Sequence, residues 1–575
     1  MSDLKINSID STYILGKLNE PVLNAINQFE NERLIKRIFD NDPTVWTENP
    51  KGQEEITNRL GWLDLPETLE QWIKPLEKFK EECLIDGYKY VFVLGMGGSS
   101  LAPEVLSLIL RQTVPDDKGL KLKIIDTTNP DEIHYSLRGI DLKHSLFLVS
   151  SKSGTTSETL AGFQYFWQEV EKAVGIEVSR HFIAITDPGT TLEKLAKKLS
   201  FREVFYGEPS VGGRFSVFSL FGLVPSALIG LDLEVMSMRS KVMYERNLPS
   251  VPALENPGLM LGTFIGEAAK KNINKLTIVS DKVLEPLGAW LEQLIAESSG
   301  KEGKGILPIA GEPLVDTKYY GNDRLFVYLR LSGDSDEFIE DISSMGHPVV
   351  VINFKDRYDI FGEFYRWEMT IAVACAVLGV NAFDQPDVQE NKTRTKAIIN
   401  GFQQTGSLDE GHPIWTNEEA DVYGSSIKGG ESSSKLSDLL SKYFIGIKPP
   451  RFVAINAFLP RTSEFERALT DLRLRILKHT NCATTLGFGP RFLHSTGQLH
   501  KGGKNEGIFI IFTGSPQTDI NIPGEGLTFG TLQKAQALGD LEVLQSRGRL
   551  AIRIHLKSET PLKSLARLVE NFGTD

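Results

Sequence analysis

From about Tyr88 onward the chain repeats one pattern: a short apolar run, a polar turn, then apolar residues at helical spacing. The runs KYVFVLG, KLKIID, SLFLVS and HFIAITD alternate with the helix-like PEVLSLILR, a stretch from about Thr156, and TLEKLAKKL. This alternation predicts a parallel sheet with crossover helices. The unit closes on the apolar FSVFSLFGLVPSALIGLD near residue 232. A second unit of the same kind follows, with strands KLTIVS, RLFVYLRL and PVVVINF among the helices GLMLGTFIGEAAKK, EPLGAWLEQLIAES and EFYRWEMTIAVACAVLG.

The flanking segments read differently. In NAINQFENERLIKRIF and PETLEQWIKPLEKFKEECL the apolar residues fall at helical spacing, and no strand-like run precedes residue 85. After the second unit comes a stretch containing GSSIKGGESSS, whose Gly and Ser content predicts a flexible connection. A further α/β region contains RFVAINAFL, the helix TSEFERALTDLRLRILKH, GIFIIFTG, a helix near GTLQKAQAL, and LAIRIHL. The expected organisation is a helical region at 1–85, α/β units at 86–245 and 246–403, a linker at 404–440, and a C-terminal α/β region at 441–575.

Composition narrows the function classes. The chain has 575 residues, 41% hydrophobic and 24% charged, with a formal net charge of −12. Such a balance argues against a nucleic-acid surface or a basic membrane patch, though not against an anionic substrate. The cysteines Cys83, Cys375 and Cys482 are scattered and form no C-x-x-C pair, which removes support for zinc, iron–sulfur and redox-pair sites. MSDLKINSIDSTY holds no apolar core of a secretory signal, and no apolar run is long enough to cross a bilayer. A cytoplasmic enzyme is the expectation.

Two loops suggest an anion site. The strand VFVLG runs into Gly95-Met-Gly97-Gly98-Ser99-Ser100 and then a helix, an arrangement that presents backbone N–H groups to an anion. It is neither a dinucleotide fingerprint, since Ser100 stands where the third glycine belongs, nor a P-loop, since no G-K-[ST] follows. Alone it is equally compatible with a tight strand-to-helix turn. The second loop, Ser150-Ser-Lys-Ser-Gly-Thr-Thr-Ser-Glu-Thr159, sets six hydroxyls before Glu158 and one ammonium at another helix start. A cap needs only one hydroxyl, so phosphate binding is the better reading. Both loops follow strands of one parallel sheet and should meet at its carboxyl edge.

In order along the chain, GMGGSSLAPE, SSKSGTTSET, Gly212-Gly-Arg-Phe-Ser216, Glu297-Ser-Ser-Gly-Lys301 with GKGILP, and Phe383-Asp-Gln-Pro386 with Lys392 resemble motifs of the phosphoglucose isomerase family. The longer match, including WT-x-NP…RLGWLDLP and RFLHSTGQLHKGG, is to the isomerase half of bifunctional transaldolase/phosphoglucose isomerases; of that pair only the isomerase half is recognised in these residues. The resemblance implies two sugar-isomerase (SIS) domains, a sugar-phosphate substrate, no metal or organic cofactor, and a homodimer. It implies Glu297 as the base, Arg214 as stabiliser of enediolate charge, and His494 as the ring-opening group with Lys392 nearby. It also implies Ser151, Lys152, Ser153 and Thr156 as the phosphate loop, with Gly98 and Ser99 against the sugar.

Two departures stand out. The family's FDQ-x-G-V-E-x-x-K signature reads FDQPDVQENK here, with Asp387 for a glycine and Gln389 for the glutamate. The HS-x-GQ motif precedes FDQ in short bacterial isomerases, whereas His494-Ser-Thr-Gly-Gln498 follows it by about a hundred residues. His500, six residues on, is the competing histidine. Two other functions stay open on the sequence: a different SIS-type isomerase or amidotransferase, and a non-catalytic sugar-phosphate sensor.

Overall fold

A computed structural model describes residues 5–557 and 561–573. Residues 1–4, the start of the stretch read as lacking a secretory signal, lie outside them. The described residues build three sheets of five or six strands, plus a two-stranded ribbon. In the first sheet Lys121–Ile125, Tyr90–Gly95, Ser145–Ser150, Phe182–Thr186 and Glu203–Tyr206 lie side by side, all parallel. The first two strands of this unit are thus exchanged in space, and a crevice opens between the carboxyl ends of its first and third. All six residues of Ser145–Ser150 are buried, because helices cover both faces.

The second sheet repeats that order with Leu307–Ile309, Lys275–Ser280, Arg324–Arg330 and Val349–Asn353. Its far edge adds two strands to 1–85, where the sequence shows no strand-like run among the helices. Ser11–Ile14 pairs antiparallel with Val349–Asn353, and Lys5–Asn7 pairs with Ser11–Ile14. These strands are only three and four residues long, too short to show a period against the polar residues around them.

The third sheet has the same parallel order again: Ala483–Phe488, Phe452–Phe458, Gly507–Gly514 and Leu550–Leu556. It too is extended by antiparallel strands, here Ala420–Gly424 and Trp415–Thr416. These fall inside 404–440, so that segment is partly structural: Ala420 and Val422 are wholly buried and Trp415 nearly so.

The carboxyl-end crevice is not equally available in the three units. In the second, Asp281 follows the strand Lys275–Ser280, and its carboxylate accepts the backbone N–H groups of Leu331, Ser332, Gly333 and Asp334 and the Tyr328 hydroxyl. Burial would raise its pKa, but the Tyr328 hydroxyl and these N–H groups hold it at about 2. In the third, the N–H groups of Gln517 and Thr518 donate to Asp131 of the first unit. Among the described residues no helix is long and apolar enough to cross a membrane.

Candidate active site

The first unit's crevice is shaped by close backbone approach. Gly97 adopts φ +56°, and a Cβ on Gly98 would lie 1.9 Å from the Gly213 carbonyl oxygen, a contact no side chain survives. The turn Gly97–Ser99 can therefore press against the turn Gly213–Phe215, which carries Arg214. Ser99 closes the first turn, half-buried.

Across the crevice, Ser151 Oγ and Thr156 Oγ1 are 3.0 Å apart, as are Ser153 Oγ and Thr155 Oγ1. The helix Ser157–Val174 starts directly after them, and among the described residues no N-cap side chain takes up its first N–H groups. Hydroxyls and a helix N-terminus converge, which suits a phosphate. Lys152, in the same loop, donates through Nζ to Asp187 Oδ2 at 2.5 Å and to the Glu208 carbonyl at 2.9 Å. Its charge is neutralised where it stands.

Glu297 ends the helix Leu287–Ser299, 9% exposed. Arg214 lies beside it, with Nη1 at 3.3 Å from Glu297 Oε1. The guanidinium is held on every edge: Nε donates to Ser298 Oγ, Nη1 to Gln385 Oε1, and Nη2 to the carbonyls of Ala382 and Asp384. The Phe-Asp-Gln-Pro segment is thus a collar around Arg214, and Gln385 is part of it. Lys301 fixes the same segment from below through Asp384 Oδ1 at 2.6 Å.

His494 arrives from the third unit. Its Nε2 lies 3.1 Å from Glu158 Oε1, and Glu158 also accepts from Gln536 Nε2 and from the Ser157 hydroxyl. Burial would raise the Glu158 carboxyl, but the facing imidazole and the neighbouring donors hold it at about 2, so it is a carboxylate at neutral pH. Gln293 links the two halves of the site: its Nε2 donates to Glu297 Oε2 at 3.0 Å and to the His494 carbonyl at 2.9 Å. Arg491, three residues before the histidine, bonds Asp126 and Glu104 of the first unit.

Gln498, at the other end of the motif, bonds the Gly300 carbonyl and Asp387. Asp387 also takes Arg547 Nη1 at 2.5 Å, so the residue that departs from the family signature serves as a tie to the third unit. Lys392 is on the exposed side of the helix Val388–Thr405. It lines a cavity of about 520 Å³ together with Thr156, Glu158, His494 and Gln536.

His500 does not reach the site. It is 2% exposed, ringed by Phe452, Phe492 and Phe509, and neither ring nitrogen has a hydrogen-bond partner among the described residues. Burial holds its pKa well below the ordinary histidine value. Among the described residues no group of three or more His, Cys, Asp and Glu is placed to hold a metal ion. Glu158, Gln293 and Gln536 received no role from the sequence. The spacing of Gln293 and Glu297 by one helical turn was the available signal for one of them.

The family model for phosphoglucose isomerase matches residues 85–305, the stretch holding both anion loops, Arg214 and Glu297. A glucose-6-phosphate isomerase of Rubrobacter xylanophilus is 32% identical over 51% of this chain and 71% of its own length. The chain belongs to the phosphoglucose isomerase family. Membership makes it an aldose–ketose isomerase. A probable glucose-6-phosphate isomerase of Methanococcus maripaludis is 28% identical over 63% of this chain and 89% of its own.

Among solved structures, a hypothetical protein of Thermus thermophilus superposes with a TM-score of 0.57 at 22% identity, covering 67% of this chain and 99% of that one. A glucose-6-phosphate isomerase of Chlamydia trachomatis gives 0.55 at 18%, covering 70% and 90%. Both likenesses speak to the fold.

Proposed function

We propose that this enzyme interconverts glucose 6-phosphate and fructose 6-phosphate by proton transfer through a cis-enediolate, without a metal. The observation that carries the reading is the continuous set Arg214–Glu297–Gln293–His494–Glu158, a base beside a fixed cation on one side and a carboxylate-held imidazole on the other.

The roles follow from position. The Ser151–Thr156 hydroxyls and the N-terminus of Ser157–Val174 hold the phosphate, with Gly98 and Ser99 against the sugar. His494 donates a proton to the ring oxygen while a base accepts the anomeric hydroxyl proton, giving the open-chain aldose; Lys392 stands in the same cavity. Glu297 then takes the C2 proton and returns it to C1, while the C2 hydroxyl gives up its proton and the C1 oxygen gains one, so that C1=O becomes C1–OH and C2–OH becomes C2=O. Negative charge on the enediolate oxygens faces Arg214, already oriented and therefore without reorganisation to undergo in the reaction.

This assignment draws His494 from the same chain, so the site is complete in one molecule. It places the enzyme in the cytoplasm with its phosphorylated substrate. The deciding experiment is a coupled assay with a panel of sugar phosphates in EDTA. Turnover of the glucose/fructose 6-phosphate pair is expected. Activity only on an amino-sugar or pentose phosphate, or loss on chelation, would overturn it.

A further inference from the structure

The helix Phe529–Ser546 of the third unit turns a polar stripe inward. Gln533, Gln536 and Asp540 follow one another at helical spacing and are all buried, among the apolar Leu532, Ala535 and Leu538. Gln533 Oε1 accepts from Asn129 Nδ2 at 3.2 Å, while Asp540 pairs with Lys501 Nζ at 2.7 Å and accepts from Asn391 Nδ2. Those contacts join one part of the fold to another, as buried polar groups at an interface ordinarily do. Gln536, between them, has a different set of partners.

Gln536 is 3% exposed, and both ends of its amide are used. Oε1 accepts from the hydroxyl of Thr128 at 2.8 Å; Thr128 is wholly buried just beyond the first unit's strand Lys121–Ile125. Nε2 donates at 2.8 Å to Glu158 Oε1, the same oxygen that faces His494 Nε2 at 3.1 Å. Chemistry sets the polarity of this relay. A threonine hydroxyl can donate, whereas an amide carbonyl and an ionised carboxylate only accept. With the Thr128 hydroxyl on its carbonyl, the amide presents its N–H to Glu158; reversed, it would set one acceptor against another.

The consequence reaches the imidazole. Glu158 Oε2 accepts from the Ser157 hydroxyl, so Gln536 and Ser157 hold the carboxylate by its two oxygens. A carboxylate fixed beside Nε2 keeps a proton on that nitrogen and the neutral ring in one tautomer. His494 Nδ1 has no protein partner among the described residues and is left for the substrate.

We propose that Gln536, itself aligned by Thr128, is a positioning residue for the isomerisation: it fixes the Glu158 carboxylate that orients His494 for ring opening. The inference rests on the reaction proposed above, so its test reads the imidazole as well as turnover. Full-length protein with histidine labelled for nitrogen NMR is compared with Gln536→Leu, and His494→Ala identifies the resonances. The neutral His494 ring should be the Nε2–H tautomer in the wild type and a mixture of tautomers in Gln536→Leu. In the same variant kcat for glucose 6-phosphate should fall about tenfold at nearly unchanged KM. The acid limb of its pH–rate profile should move in the direction that Glu158→Gln moves it.

Thr128→Val should reproduce these changes more weakly, and Thr128→Ser, which keeps the hydroxyl, should not. Should Gln536→Leu fail to fold, Thr128→Val carries the same readouts. Gln533→Leu removes a bond of the same stripe outside the relay and should alter neither tautomer nor pH profile. An unmoved tautomer and pH profile in Gln536→Leu and Thr128→Val, or an equal change in Gln533→Leu, would overturn the proposal. Wild-type protein that fails to turn over the glucose/fructose 6-phosphate pair, with the tautomer still released in Gln536→Leu, would refute the reaction and leave the positioning standing.

Discussion

His494 Nε2 lies 3.1 Å from Glu158 Oε1, a contact between residues 336 positions apart that joins the third unit to the phosphate side of the first. Because the Glu158 carboxyl is held at about 2, the pair sets an anion against the imidazole throughout the neutral range. In the proposed mechanism Glu158 acts through the histidine, as a positioning residue. Glu158→Gln should lower kcat by about 10²-fold with little change in KM and displace the acid limb of the pH–rate profile. A mutant with an unmoved pH profile would assign Glu158 a purely structural role.

The same depressed carboxyl links stability to pH. A group whose folded pKa lies below its unfolded value stabilises above the unfolded value and loses that contribution as pH falls through the folded one. For Glu158 the window runs from the ordinary 4.5 down to about 2. Its stabilisation, on the order of 3 kcal/mol at most, should fade between those limits in acid denaturation, and the window should flatten in Glu158→Gln.

Glu297→Gln keeps the shape of the side chain and removes its basicity. Turnover should fall by about 10³-fold or more while the KM for sugar phosphate changes little, as measured in the coupled assay. Near-normal turnover would remove Glu297 as the base.

With His494 supplied in cis, activity should not depend on assembly. Mixing Glu297→Gln with His494→Ala protein should restore no activity, and specific activity should stay constant on dilution. Recovery toward a quarter or half of wild-type activity on mixing would show a site shared between chains. His500→Leu serves as the control, expected to retain activity, because that ring is neutral and caged by phenylalanines.

Glu312 tests the union of the second and third units. It pairs with Arg324, both at most 1% exposed at the side chain, and accepts Thr484 N and Oγ1 at 2.8 Å. Glu312→Ala leaves the guanidinium buried and uncompensated, and should cost about 3–5 kcal/mol. A thermal melt that loses less than a degree would contradict this.

Much of the fold was legible because parallel strands buried on both faces read as plain apolar runs, as Ser145–Ser150 and Phe452–Phe458 do. Ala483–Phe488 was not, since Thr484, Thr485 and Gly487 break the apolar run. Ser11–Ile14 was missed because its burial comes from a partner more than three hundred residues away. The site divides likewise. Its loops carry signatures in contiguous residues, whereas Glu158, Gln293 and Gln536 acquire meaning only through contacts between units. The pairing of Lys152 with Asp187, 35 residues on, is likewise invisible until the strands are paired.

Asp281 gives the repeated architecture an asymmetry of occupancy. A phosphate seeking the second unit's nest would compete with a carboxylate tethered to the strand beside it, whose effective concentration is on the order of millimolar or higher and never falls. The nest has in effect a permanent tenant. Copies of the crevice therefore do not multiply the substrate's binding stoichiometry, and damage to the Ser151–Thr156 loop has no understudy in the second unit.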